Sequence, residues 1–324
     1  MDKEATSKKE LMNVRISLVF LSVILLAKAT FGGENPTFSF LRNDYGARAA
    51  ALAGSFVSMT NDPNVIFYNP SALSTVERQQ ISVGFFKHLL DINSGHASYA
   101  QEIPGFGFVG AGIVYINYGE FTRTDETGNK LGTFSANELA LSLGYADSPA
   151  PQVHYGANVK FIYSGIAEAA STAVAVDLGV LYAFPEQRIT AGASLLNLGT
   201  QLDPYFSTRE NLPLDLKVGA TIEPEHLPLL LNVNFHGLNE SQTSLIGHFR
   251  SFSLGGEFLV SDALRLRFGY DNDRRRDLKL GTSSGLAGFS FGGGVLVDMY
   301  TVDYAYTSYG KIGALHRISL AFSF

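Results

Sequence analysis

The chain contains no cysteine. Without thiols it has no disulfide framework, no thiolate metal ligands, no cysteine nucleophile and no N-terminal cysteine that a lipid can modify. Tryptophan is absent as well, so 24 Phe and 15 Tyr supply all of the large aromatic side chains. If the chain enters a membrane, these Tyr and Phe residues are expected to form its interfacial girdles.

Charge is also scarce, because Asp, Glu, Lys and Arg make up only 17% of the 324 residues. The formal net charge of −6 provides no basic field to attract phosphates, which excludes nucleic-acid binding. A hydrophobic content of 46% is too high for a disordered chain.

Long apolar runs are missing except near the N-terminus, where ISLVFLSVILLA (16–27) follows Lys8, Lys9 and Arg15. This run is shorter than the roughly 20 residues that a membrane-spanning helix needs. Residues 1–29 are therefore predicted to be a signal peptide, with cleavage after Ala29 or, as a fallback, after Gly32. An uncleaved membrane anchor is the alternative. No later run is long enough for a spanning helix, so a mature chain in a membrane spans it with strands.

Alternation with period two recurs from about residue 78 onward. In ELALSLGYA (138–146), for example, Leu139, Leu141 and Leu143 fall on one face and Ser142 on the other. Such alternation indicates strands with one apolar and one polar face. Fourteen strands are predicted, with centres near residues 83, 98, 111, 140, 158, 178, 192, 218, 232, 255, 267, 291, 303 and 319.

The predicted connections alternate between short turns and long polar loops. The short turns include 102–105, 147–151, 185–188, 223–228 and 261–262, and the long loops are 118–133, 199–212, 237–249 and 271–285. Short turns at one rim and long loops at the other are typical of an outer-membrane barrel. A soluble β-sandwich gives no reason for this segregation. The fold predicted is all-β, a 14-stranded antiparallel transmembrane β-barrel that ends in the amphipathic strand HRISLAFSF.

Charged residues on the polar faces are expected to point into the lumen, because a charge facing lipid is costly. This set consists of Lys160, Asp177, Lys217, Glu257, Arg265, Arg267, Asp303 and Arg317. Both signs are present, so they either pair with one another or with a plug, or simply solvate the lumen.

Motifs for catalysis and cofactors are weak. GFGFVG (105–110) opens a strand and lacks the helix that a dinucleotide fingerprint requires. GTSSG (281–285) places Ser283 in a long loop, whereas a nucleophile elbow needs a strand-to-helix turn. The histidines form no metal-binding spacing, and the acidic loops lack the Ca²⁺-loop pattern. We expect no metal, no cofactor and no enzyme, with an esterase using Ser283 as a remote alternative.

The segment FLRNDYGARAAALAGSFVSMTNDPNVIFYNPSAL (40–73) resembles the start of PorV/PorQ proteins, which are FadL-like barrels of the type IX secretion system, and it is closer to PorQ. Further similarity lies in 116–145, 197–219 and 266–280 and in the segment that begins at Gly285. The resemblance implies a hatch, or plug, over 30–77 and a barrel over 78–324. It assigns the hatch motif to Gly46, Arg48, Asp62, Asn69 and Pro70.

The same resemblance implies a non-enzymatic outer-membrane component of type IX secretion, in a Gram-negative bacterium of the Bacteroidetes or a related phylum. Its implied partners are PorZ, PorU and PorV, beside outer-membrane lipid and lipopolysaccharide. The residues expected to contact partners lie in the outer loops and are Tyr205, Arg209, Arg274, Arg275 and Arg276. The alternative function is a FadL-type transporter of hydrophobic compounds, which requires an apolar pocket.

Overall fold

The computed structural model describes residues 36–87, 92–240, 245–279 and 285–324. The predicted signal peptide (1–29) and Ser283 lie outside the described residues, so both remain predictions. Among the residues that are described, no helix is long and apolar enough to span a membrane.

The described part of the chain contains fourteen antiparallel strands that close into one barrel. They are β1 (Gln80–Lys87), β2 (Asn93–Ile103), β3 (Gly107–Thr124), β4 (Lys130–Ala150), β5 (Val153–Ile166), β6 (Ala169–Phe184), β7 (Ile189–Asp203), β8 (Asp215–Ile222), β9 (Leu229–Phe235), β10 (Phe252–Leu259), β11 (Leu264–Asp271), β12 (Phe289–Val297), β13 (Tyr300–Ser308) and β14 (Ala314–Ser323). Each strand pairs with its neighbours in sequence, and β1 pairs with β14 to close the sheet. Every predicted centre lies inside a strand, which confirms the predicted barrel.

The wall shows the alternation that the sequence predicts. On β5, Val159 and Phe161 are exposed on the outer face, whereas Asn158 and Lys160 are buried on the inner face. The other strands repeat this pattern, so an apolar belt surrounds the barrel. Such a belt is what a lipid-facing wall requires.

The hatch comes before β1 and occupies the bore. It contains the helix α1 (Ala47–Ala51) and 3₁₀ helices at Ser39–Arg42, Pro63–Phe67 and Pro70–Thr75. Two of the 3₁₀ helices start in the same way: Asp62 and Asn69 cap the backbone N–H two residues later, and Pro63 and Pro70 fix the first helical φ. The Asn/Asp-Pro signals of the sequence therefore start short helices that pack inside the barrel.

Glycines on the inner wall make room for the hatch. A Cβ added at Gly156 would lie 2.6 Å from the carbonyl carbon of Pro70, and one at Gly269 would lie 2.5 Å from the amide nitrogen of Ala53. On β4, beside Gly156 of β5, a Cβ at Gly144 would lie 2.9 Å from the side chain of Leu73. The hatch and the wall thus approach one another more closely than any larger residue allows.

All four of the predicted long loops contain more regular structure than expected. The segment 118–133 is largely a hairpin, because β3 continues to Thr124 and β4 begins at Lys130. Its turn is held by Asp125, whose Oδ1 accepts hydrogen bonds from the backbone of Thr127 and Asn129. The predicted loop 199–212 begins as the end of β7. Short helices α2 (Leu245–His248) and α3 (Asn272–Asp277) lie in the other two loops.

Candidate functional site

The residues of the hatch motif lie in the part of the hatch that packs against the inner wall. Gly46 has a φ of 89°, and a Cβ there would lie 3.0 Å from Nδ2 of Asn64. Asn64 in turn bridges two wall strands, because it donates to Ser82 on β1 and accepts from Ser98 on β2. Glycine is therefore required at position 46 both for the backbone conformation and for the contact.

Asn69 connects two parts of the hatch to the wall. Its Nδ2 donates to the carbonyl oxygens of Val57 (2.8 Å) and Val180 (3.2 Å), and its Oδ1 accepts from the Ser71 hydroxyl (2.6 Å). Pro70 follows and lies against the wall at Gly156 and Gly179. This buried amide therefore joins a backbone carbonyl of the hatch to one of the wall, and its own polar atoms are satisfied.

Arg48 links the hatch to an ionic network on the wall. It forms two hydrogen bonds of 2.9 Å with the Glu257 carboxylate on β10 and lies 3.3 Å from Asp62. Glu257 also contacts Arg267 on β11, which contacts Asp303 on β13. The five charged groups therefore form a continuous chain from the hatch across the wall, and each buried charge has an opposite charge beside it.

A second buried ion pair joins Lys160 and Asp177 at 2.8 Å. Asn197 completes the site, since its Oδ1 accepts from Lys160 and its backbone N–H donates to Asp177. Asn197 has a φ of 62° at a β-bulge in β7, which turns its side chain inward.

The other predicted lumen charges occupy different environments. Lys217 lies 3.3 Å from Asp215 and above the ring of Tyr68. Arg317 donates to Thr307 and lies over Phe86. Arg265 donates to the carbonyl oxygen of Ser261 and lines a cavity at the rim of the short turns.

The predicted partner-binding residues are divided between hatch contacts and solvent. Arg274 on α3 lies 3.0 Å from Asp44 of the hatch. Burial lowers the pKa of its guanidinium, but the charges of Asp44 and Asp271 outweigh burial, so the pKa is raised. Arg275 lies over the ring of Phe289. Arg209 and Arg276 are exposed. Arg274 is therefore positioned to hold the hatch.

Tyr205 is half-buried in the loop after β7. Its ring lies 6.5 Å from that of Phe38 in the hatch. Burial raises the pKa of its hydroxyl, and the carboxylate of Glu138 is among the further causes. Tyr205 therefore belongs to the surroundings of Glu138 at the outer mouth, which is the rim of the long loops.

Glu138 lies at an apolar cavity of about 360 Å³ at the outer mouth. The lining residues are Tyr118, Phe121, Phe134, Ala136, Asn137, Glu138, Ser164, Gly165 and Ile166. The Phe121 and Phe134 rings stack at 5.3 Å. Tyr118 also packs against the apolar core between the hatch and the wall. The volume falls within the range of small-molecule pockets.

A β-bulge builds this cavity. Asn117 pairs with Asn137 and Glu120 with Ser135, so β3 carries one more residue than β4 between these pairs. Gly119, at the bulge, has a φ of 79°. The extra residue reverses the alternation and places Phe121 on the inner face with Phe134, whereas Glu120 faces outward.

This cavity is not predicted by the sequence patterns. Glu138 begins the strand whose alternation was recognised and lies on its polar face, which was the available signal. The predicted loop 118–133 includes Phe121 and ends one residue before Phe134, and alternation alone does not reveal a bulge. In the described part of the chain there is no group of three or more His, Cys, Asp or Glu suited to a metal ion.

No protein-family profile matches the sequence, and no curated protein matches it significantly. Among solved structures, the Ralstonia pickettii toluene transporter TbuX is similar with a TM-score of 0.59 and 12% identity, over 86% of this chain and 98% of that one. A Pseudomonas aeruginosa FadL homologue gives a TM-score of 0.54 at 11% identity, over 86% and 98%. The Pseudomonas putida toluene transporter TodX gives 0.55 at 13%, over 86% and 97%. At these identities the likeness establishes the FadL-type barrel fold alone.

Proposed function

We propose that the chain is an outer-membrane barrel that takes up small hydrophobic compounds through the apolar cavity at its outer mouth. The observation that carries this proposal is the cavity itself, with its stacked Phe121–Phe134 pair and its volume of about 360 Å³. A FadL-type transporter of hydrophobic compounds requires an apolar pocket, and this cavity is one. Support also comes from the fold, which is shared with barrels that transport toluene.

A hydrophobic compound in this cavity loses contact with water and gains contact with aromatic rings, which favours binding. Below the cavity the bore is filled, because Ile116 and Ile162 of the wall and Phe67 of the hatch are buried in one apolar core. Passage to the inner rim therefore requires hatch residues to move. The buried ion pairs of Arg48 with Asp62 and Glu257 hold the hatch against the wall and resist this movement.

Filling the cavity tests the proposal. Ala136→Phe places a ring in the cavity, whereas Leu143→Phe adds the same ring on the lipid-facing side of the same strand. We expect the first variant to lose at least about tenfold in affinity for 4-fluorotoluene, because its steric bulk displaces the ligand. Line broadening in ¹⁹F NMR of the detergent-solubilised barrel measures affinity, and entry of labelled toluene into intact cells measures uptake. Equal binding by Ala136→Phe, Leu143→Phe and the unmodified chain would contradict the proposal.

A second candidate is the type IX secretion role, in which a PorQ-like barrel in the outer membrane of a Bacteroidetes-type bacterium retains PorZ, PorU and PorV at the cell surface. It is favoured by the resemblance of 40–73 to PorV/PorQ proteins. It is also favoured by the exposure of Arg209, Arg276 and Phe206 in the long loops at the outer mouth. Aromatic and Arg residues are enriched at protein interfaces.

The test of this candidate avoids Arg274, which contacts the hatch, and Arg275, which contacts a wall strand. Arg276 pairs with Asp273 and Asp277 of its own helix and is exposed. We expect the double variant Arg209→Ser, Arg276→Ser to retain less of these partners in a pull-down from outer membranes, because it removes two exposed guanidinium groups. Arg123→Ser, which changes an exposed Arg on the β3–β4 hairpin, is the matched control. Unchanged co-purification in the double variant, or recovery of no partner by the unmodified barrel, argues against this role.

A further inference from the structure

We propose that Glu138 makes the apolar cavity selective for neutral compounds that carry a hydroxyl group and unfavourable to carboxylate anions. The inference rests on the proposed uptake function and specifies its substrate class. Glu138 is the one acidic side chain among the residues that line the cavity. It is 9% exposed on the inner face of β4, and its Oε2 accepts a hydrogen bond of 2.5 Å from the Tyr118 hydroxyl.

The lining of the cavity, all of it in the described part of the chain, includes no Lys, Arg or His. The nearest basic group that the contacts show is Arg123, whose guanidinium lies 5.8 Å from the centre of the Phe134 ring. That guanidinium makes two hydrogen bonds of 2.8 Å to the Glu168 carboxylate. Its charge is therefore already balanced at the exposed rim, and it does not offset the charge of Glu138.

A carboxylate ligand in this cavity would sit beside a second carboxylate in a poorly hydrated space. Like charges disfavour each other there, and no cation compensates the cost. A hydrocarbon makes no such contact and binds through the aromatic rings alone. A hydroxyl group adds a charge-assisted hydrogen bond to Glu138, which is stronger than a bond between neutral groups. The order of preference is therefore alcohol, then hydrocarbon, then acid.

Three ligands of nearly the same shape test this order: 4-fluorobenzyl alcohol, 4-fluorotoluene and 4-fluorobenzoate. Their affinities for the detergent-solubilised barrel are measured by ¹⁹F NMR titration at neutral pH, where the benzoate is ionised. We expect the alcohol to bind about tenfold more tightly than the hydrocarbon, since a hydrogen bond to a charged group contributes at least this factor. The benzoate is expected to bind at least about tenfold more weakly than the hydrocarbon.

Glu138→Gln removes the charge and keeps the shape, so it should bring the three affinities to within about threefold of one another. Glu120→Gln, on the neighbouring strand but facing outward, is the matched control and should keep the order of the unmodified chain. The comparison of the three ligands on the unmodified barrel stands even if a variant fails to fold. Binding of fluorotoluene without discrimination overturns the inference and leaves the uptake function standing. Absence of binding by all three removes both.

Discussion

Arg48 shows how much of the hatch position depends on single side chains. Its guanidinium contacts Asp62 within the hatch and Glu257 on the wall, and all three side chains are largely buried. Two carboxylates without Arg48 would remain in a poorly solvated space, although Arg267 still neutralises Glu257. Removing Arg48 is therefore expected to destabilise the packed hatch more than the loss of a surface ion pair of the same length would.

Arg48→Met is expected to lower the free energy of unfolding by about 3 kcal/mol, because it leaves a buried carboxylate uncompensated. Urea unfolding in detergent, followed by the heat-modifiable mobility of the barrel on gels, measures the change. Arg123→Met removes an exposed ion pair with Glu168 and should leave the unfolding midpoint nearly unchanged. Equal shifts in the two variants would argue against an ionic role for Arg48.

Single glycines of the inner wall allow a separate prediction. Gly156→Ala places a methyl group 2.6 Å from backbone atoms of Pro70, which have no rotamer that avoids the clash. We expect a loss of about 1–3 kcal/mol in unfolding free energy, as for other overpacked cores. Gly293→Ala is the control, because its nearest neighbour would be 3.5 Å away. A hatch that binds equally well in both variants, judged by protection of 36–77 from protease, would contradict the close contact.

At the scale of elements, α3 connects an outer loop to the hatch and to the wall. Arg274 bonds Asp44 of the hatch, and Asp273 accepts from Nε2 of His236, which follows β9, at 3.0 Å. Burial alone lowers the pKa of His236, but the hydrogen bond to Asp273 and the charges of Asp271 and Asp215 outweigh it, so the pKa is raised. The pKa of Asp273 is lowered, because its bond to His236 outweighs its burial.

These shifts give α3 a pH-dependent attachment. The raised pKa of His236 contributes stability fully below the unfolded value of about 6.5, and this contribution is lost as pH rises through the folded pKa. The lowered pKa of Asp273 contributes stability that is fully present above its unfolded pKa of about 3.9. This stability is lost as pH falls through the folded pKa. The attachment is therefore strongest between the two unfolded values.

His236→Gln should consequently destabilise the barrel more at about pH 5.5 than at about pH 9, since the charged pair exists only in the unmodified chain at the lower pH. Guanidinium unfolding at the two pH values gives both differences. His226→Gln, in an exposed turn at the opposite rim, serves as the control. The same destabilisation at both pH values would show that His236 acts through packing and not through its charge.

The β3–β4 hairpin is the other element that matters for function. Local composition favours a loop over 118–133, because the segment is polar and contains glycines. Pairing of Phe121 with Phe134 and of Thr122 with Thr133 keeps it as strand instead. Cross-strand aromatic and Thr pairs stabilise a sheet, and this contribution exists only after the strands have met.

For the whole molecule, the decisive feature is a closed wall with its apolar side outward. Closure leaves no unpaired strand edge in the described barrel, since β1 and β14 pair along their length. In lipid, every backbone polar group must be satisfied in this way. The outer side chains then need no polar partners, and the inner ones are free to bind the hatch.

Val159→Arg tests the position of the wall in the membrane. Val159 is 59% exposed near the centre of β5, so an Arg there meets hydrocarbon and should cost about 2–4 kcal/mol. Leu131 is 63% exposed but lies at the tip of the β3–β4 hairpin, where the same change should cost little. The folded fraction in lipid vesicles, read from heat-modifiable mobility, measures both. Equal tolerance of the two changes would place β5 outside the bilayer.

The sequence by itself determined the barrel. Fourteen alternating segments, short and long connections and an amphipathic last strand are local patterns, and a closed sheet in lipid follows from them through backbone hydrogen bonding. The hatch helices are also local, because Asp62-Pro63 and Asn69-Pro70 cap and start them without help from the rest of the chain.

Only the tertiary structure decided which groups meet. Arg48 and Glu257 are 209 positions apart in sequence, and nothing local pairs them. The packing of α3 turns Arg274 toward the hatch and leaves Arg276 in solvent, although the two residues are two positions apart. The apolar cavity at Glu138 depends on a single extra residue in β3, which reverses the alternation from which inward and outward faces are inferred. Periodicity reports the face of a side chain only while the register is regular, and the candidate site lies where the register shifts.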